Sequence, residues 1–110
     1  MFKAFALCKE FTLKDQIQRA GLSIPSNIAE GAERGSTKDF AHFLNYSKGS
    51  CGELRTQLYI ARKLKVIAKG TFEEGVNETK EISSMLEGLR RSILAKARPK
   101  MKRARRKLKT

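Results

Sequence analysis

At 110 residues the chain has the length of one domain with a single modest core. Hydrophobic residues at 40% and charged residues at 32% fit neither a membrane protein nor a disordered polyampholyte. The formal net charge of +13, from 24 Lys and Arg against 11 Asp and Glu, favours a polyanionic partner, nucleic acid or an anionic surface.

The chain has two prolines and no tryptophan, and it lacks the short β-branched runs between turns that an all-β domain needs. Cys8 and Cys51 are too few for a disulfide framework or a zinc site. The first eight residues are too short for a signal-peptide core, and no run approaches the ~20 apolar residues of a membrane span. The expected setting is a reducing cytoplasm, with no membrane partner, no metal and no cofactor.

In chain order, residues 2–9 allow at most two helical turns. Leu13, Ile17, Ala20, Ile24 and Ile28 then recur in steps of three and four and mark one helical face. Pro25 lies within that face and predicts a kink or a restart. Ser36 is a good N-cap, with Asp39 as a short-armed capping acid. From there Phe40, Leu44, Ser47, Cys51, Leu54, Leu58 and Ala61 form a heptad seam. A second stripe, Phe43, Tyr46, Ile60, Leu64 and Ile67, gives this helix more than one neighbour. Gly49 and Gly52, set among Ser47, Ser50 and Cys51, read as a place of close helix approach.

Thr71, followed by Glu74, predicts a capping box for the last helix. Its apolar face is Phe72, Val76, Ile82, Leu86, Leu89 and Ile93. Pro99 disfavours helix in the residue before it, so the helix is expected to end near Arg98 and the tail to be mobile. The expected division is a helical bundle over residues 1–98 and a polybasic tail over residues 99–110.

No catalytic constellation emerges. His42 and Cys51 are nine residues apart on one helix, hence roughly 180° apart around it. Glu30 with Arg34 and Glu87 with Arg91 read as surface pairs at helical spacing. Gly31 and Gly35 are not followed by the Lys-Ser/Thr of a phosphate loop. The chain reads as a non-enzyme.

The tail is the strongest signal. Lys96, Arg98, Lys100, Lys102, Arg103, Arg105, Arg106, Lys107 and Lys109 occur with no acid among them, while residues 1–95 carry a net +4. Such a run condenses along a phosphate backbone and releases counterions. No aromatic side chain punctuates it, so phosphate contact rather than base stacking is expected. The alternative is a protein-interaction adaptor whose tail only aids solubility or encounter.

The stretch from Gln16 to Gly31, with Arg19, Ile24, Pro25, Asn27, Ile28 and Glu30, is distinctive. Together with Ser36, Asp39, Phe40, Gly49, Ser50, Glu53 and Gln57, it closely resembles the four-helix bundle family of 23S rRNA intervening-sequence proteins. Relatives of that family include the accessory variability determinant of diversity-generating retroelements. The resemblance implies an all-α antiparallel bundle, a ring-like homopentamer and a non-enzymatic role with suspected nucleic-acid binding. It marks Arg19, Ile24, Pro25, Asn27, Ile28, Glu30, Gly31, Gly49, Ser50, Glu53 and Gln57 as motif positions, either a hydrogen-bond network fixing the bundle or a partner surface. Family members usually carry a full helix before this motif; here little more than residues 2–9 precede it, which implies either a shortened first helix, with an apolar groove left for a neighbouring subunit, or a mis-assigned start.

Overall fold

A computed structural model describes the backbone of residues 2–109 and the side chains of residues 10–98, 103 and 105–108. Among the described residues there are three helices and no strand: α1 (Phe2–Glu33), α2 (Thr37–Lys63) and α3 (Lys69–Lys109). The all-helical expectation holds. The body is a rod, 74 × 24 × 17 Å.

The heptad seam of α2 explains the arrangement. Leu44, Ser47, Cys51, Leu58 and Ala61 are all buried, and α1 and α3 pack on either side of that seam. The backbones of α1 and α3 do not approach each other closely. They meet only through side chains, where Ile24 of α1 and Leu86 of α3 close over Leu44 and Cys51. Apolar area removed from water along this seam is the main stabilising term.

Ser36 caps α2 as expected, its Oγ accepting from the Asp39 N–H at 3.0 Å. Gly35 before it has φ +79°, a left-handed turn that glycine takes at no steric cost. Gly31 is required for another reason. A Cβ there would lie 2.7 Å from Cβ of Phe43 and 3.3 Å from the Cα of Phe40, so its bare backbone sets how closely α1 approaches α2.

Several expectations are corrected. Residues 2–9 are not a separate stub but the first turns of a single 32-residue α1. Pro25 sits inside that helix without a restart. The proline withdraws one backbone donor, that to the Gly21 carbonyl. Flanking turns docked on α2 through Ala20, Ile24 and Gly31 outweigh that loss. Ser26 Oγ and Asn27 Nδ2 also donate to the carbonyls of Leu22 and Ser23, each at 2.8 Å.

Pro99 likewise fails to stop α3, which runs on to Lys109. The residues beyond it (Lys, Arg, Ala, Met and Leu) are strong helix formers, and cations in the last turns suit the helix dipole. The expected mobile coil is therefore a helical extension of α3.

Thr71 does not cap that helix. The bond from the Phe72 N–H to the Ala68 carbonyl (3.0 Å) starts α3 at Lys69, three residues before the start a Thr71 cap would give. Nor do Gly49 and Gly52 seat a neighbour, since a Cβ on either would meet nothing within 4 Å. The close approach is made instead by Ser47 and Ser50, whose hydroxyls reach Ile24 and Ser23 of α1.

Candidate nucleic-acid interface

Basic residues fall on α3 where its packing runs out. α2 begins at Thr37, and its first turn shares a cavity of about 190 Å³ with α3, lined by Thr37, Lys38, Leu94, Ala97 and Arg98. Beyond it α3 overhangs the bundle by about 11 residues, roughly 17 Å at helical rise. Leu108 on this overhang is 86% exposed.

Of the nine tail positions, Lys96, Arg98, Arg103, Arg105, Arg106 and Lys107 are exposed. Lys100, Lys102 and Lys109 have side chains outside the described residues. Arg91, Arg98 and Arg105 are spaced by seven, so they share one side of α3 over about 21 Å. Arg98 also lines an open depression of about 320 Å³ together with Arg90, Arg91, Leu94 and Ala95. The structure thus extends the basic surface back from the tail onto the body through Arg90, Arg91 and Lys38. The seven-residue spacing was present in the sequence as a signal for Arg91.

Glu87 anchors the inner edge of this surface. Its carboxylate accepts from Arg90 at 2.7 and 2.9 Å, from Lys48 of α2 at 2.7 Å and from Arg91 at 2.9 Å. The Arg90 bonds first, then that of Lys48, hold this carboxyl well below the usual carboxylate range, against a smaller opposing desolvation. Arg90 is correspondingly raised by Glu87. One carboxylate therefore orients two guanidinium groups and ties α3 to α2, while Arg98 and the tail beyond have no carboxylate in their own run of sequence.

The family-motif positions gather elsewhere, along the seam between α1 and α2. Asn27 Nδ2 donates to the Ser23 Oγ at 2.9 Å, Ser50 Oγ donates to the same oxygen at 2.9 Å, and Ser47 Oγ donates to the Ile24 carbonyl at 2.8 Å. Ile24 is buried in the core, and Ile28 packs against it. Arg19 pairs with Asp15 at 3.0 Å and Glu30 with Arg34 at 3.0 Å, both on the surface.

Arg19, Glu53 and Gln57 line a shallow depression of about 300 Å³ with Gln16, Ala20 and Ser23. Gln57 Nε2 reaches Gln16 at 3.5 Å, and its Oε1 is buried with no partner. Pro25 and Gly49 are exposed. The motif and the basic tail are thus two separate surfaces.

His42 is exposed, its Nε2 2.7 Å from the Tyr46 hydroxyl. Cys51 is fully buried, and burial pushes its thiol up, partly opposed by the Arg55 charge. Among the described residues no three His, Cys, Asp or Glu side chains are placed to share a metal ion. No described helix is long and apolar enough to cross a membrane.

The family described as "23S rRNA-intervening sequence protein" matches residues 1–88. Among solved structures, one from Bacteroides thetaiotaomicron, described as a protein of unknown function from the S23 ribosomal protein family, is 31% identical. It superposes with a TM-score of 0.70 over 74% of this chain and 75% of its own. None of the curated proteins matches the chain.

Proposed function

The chain belongs to the 23S rRNA-intervening sequence protein family, and from that premise we propose that it is a non-enzymatic RNA-binding protein of the cytoplasm. It holds the phosphate backbone, ribosomal RNA being the first candidate, with the C-terminal part of α3. The observation that carries this reading is the overhang itself, a helix with basic side chains on several of its sides and no acid after Glu87. The family match ends at residue 88, so the basic segment lies outside the part of the chain that match covers. Binding is electrostatic and not base-specific.

The proposed protein is a homo-oligomer, the family resemblance pointing to a ring-like pentamer built on a four-helix arrangement. Support comes from Met85, 72% exposed, and Leu89, 43% exposed. Both stand outward from the α3 stripe whose other members, Ile82 and Ile93, reach the core. With α1 and α3 apart, that edge of the core is open to a neighbouring subunit. Several tails on one assembly raise avidity through effective concentration.

Deleting residues 99–110 tests the RNA reading. The full chain is expected to bind single-stranded RNA with a log K against log salt slope of roughly −3, about half the nine charges making contact. The deletion should lose most of that affinity and slope. Unchanged binding after the deletion would sink the proposal, and a stable protein partner with no RNA binding at about 150 mM salt would favour the adaptor instead.

A further inference from the structure

The basic surface is not uniform along α3. Past residue 98 it is an open helical run, which meets a phosphate backbone one cation at a time. Between residues 90 and 98 the same helix gathers three guanidinium groups, those of Arg90, Arg91 and Arg98, round one depression of about 320 Å³, with Leu94 and Ala95 as its other walls. Ala95 makes the gap. Arg91 stands four residues before it and Arg98 three after, so the two flank a methyl group on one side of the helix.

Two of the three arginines are held in place. Glu87 accepts from Nε and Nη2 of Arg90 and from Nε of Arg91, which leaves Nη1 of Arg90 and both terminal nitrogens of Arg91 outside those bonds. Arg98 forms no ion pair among the described residues. Leu94 and Arg98 also wall the neighbouring cavity, where they meet Thr37 and Lys38 in the first turn of α2. That turn adds a lysine and the positive end of a helix dipole. Against these cations stand Glu87, already engaged by Arg90, Arg91 and Lys48, and Asp39 of the same first turn.

An internal phosphate of RNA is a diester with a single charge. A phosphate at the end of a strand is a monoester, with three acceptor oxygens and a charge of about −1.5 to −2 at neutral pH. A guanidinium fork pairs with such oxygens two at a time, so three arginines round one depression match the monoester better than the diester. We infer that the depression walled by Arg90, Arg91 and Arg98 is a site for the terminal phosphomonoester of an RNA strand, whose backbone the overhang then holds. Arg105, seven residues past Arg98 on the same side and about 10 Å on, takes a phosphate further along the strand. The inference rests on the RNA-binding reading and deepens it: the protein recognises a strand end rather than a sequence. Leu89 is nine residues from Arg98, roughly 180° round α3, so the site leaves free the edge given to a neighbouring subunit.

A short single-stranded RNA of one sequence tests it on the full chain, made with hydroxyls at both ends, with a 5′-phosphate, or with a 3′-phosphate. At about 150 mM salt at least one phosphorylated form is expected to bind about tenfold tighter than the hydroxyl form. A hydroxyl-ended strand one nucleotide longer, which adds its phosphate as a diester, should gain less than about twofold. Arg98→Gln should remove the preference for the phosphorylated end. Arg103→Gln, on another side of α3, should weaken every form alike and keep the preference. Both side chains are exposed, so neither change disturbs the packing. The inference is overturned if neither terminal phosphate tightens binding beyond the longer hydroxyl strand, or if Arg98→Gln leaves the preference intact. Equal, salt-sensitive binding of all forms sinks the end site alone. No binding of any form sinks the RNA reading and the end site with it.

Discussion

Along α3 the same helix does two unlike things. From Phe72 to Ala97 it shows α2 a regular face, with Val76, Thr79 and Leu86 buried, and Arg55 Nε reaches across to the Thr79 hydroxyl at 3.1 Å. Beyond Arg98 the described side chains, Arg103, Arg105, Arg106, Lys107 and Leu108, are all exposed, and the segment carries charge instead. Packing and concentrated positive charge are therefore separated along one rod. A change in the packed part should be felt as unfolding, and a change in the overhang as lost binding.

That separation is easiest to break at the core. Leu44 is fully buried in the wedge between all three helices, and Leu44→Ala is expected to cost about 3 kcal/mol, read from urea unfolding. Next comes Gly31→Val. Its side chain has no room against Phe43 and Phe40, and the loss should be about 2 kcal/mol. Ser36→Ala removes the cap of α2 and should cost about 1 kcal/mol. A comparable loss from deleting residues 99–110 would contradict the division, since the overhang is expected to contribute almost nothing to the melting temperature.

Glu87 sits where the two regions meet and gives a pH signature. Its carboxyl is depressed in the folded protein by Arg90 and Lys48. Its contribution is then fully present above the ordinary carboxylate value of about 4.3. It declines as pH falls through the lower folded value. Wild type should therefore lose stability between about pH 4 and pH 2 relative to Glu87→Gln, a difference that urea titration at several pH values would detect. The smallest expected effect is at Arg105. Arg105→Ala should leave unfolding unchanged while reducing the salt slope of RNA binding by about one contact.

The heptad of α2 was readable because a helix buried on two sides must repeat its apolar positions, and all seven of its members are buried or pack against the core. The Ser36 cap and the Glu30–Arg34 pair were readable because both lie within one turn. Ends and breaks were not. Pro25 and Pro99 each withdraw one backbone donor, a local cost visible in the sequence. At Pro25 the sequence does not show that docking on α2 compensates for it. The Lys48–Glu87 pair spans 39 positions, and no local spacing announces it.

By itself, then, the sequence determined a helical chain with an apolar seam, a capped α2 and a segregated positive charge, since period, capping and charge act over a turn or two. Only the tertiary structure decided that α1 passes through Pro25 unbroken and that Gly31 fixes the approach of α1 to α2. It also decided that α1 and α3 stand apart on either side of α2, and that the basic segment is carried as a helix past the end of the bundle. These depend on what lies across from each residue, and packing against a distant segment is set by the fold rather than by near neighbours in the chain.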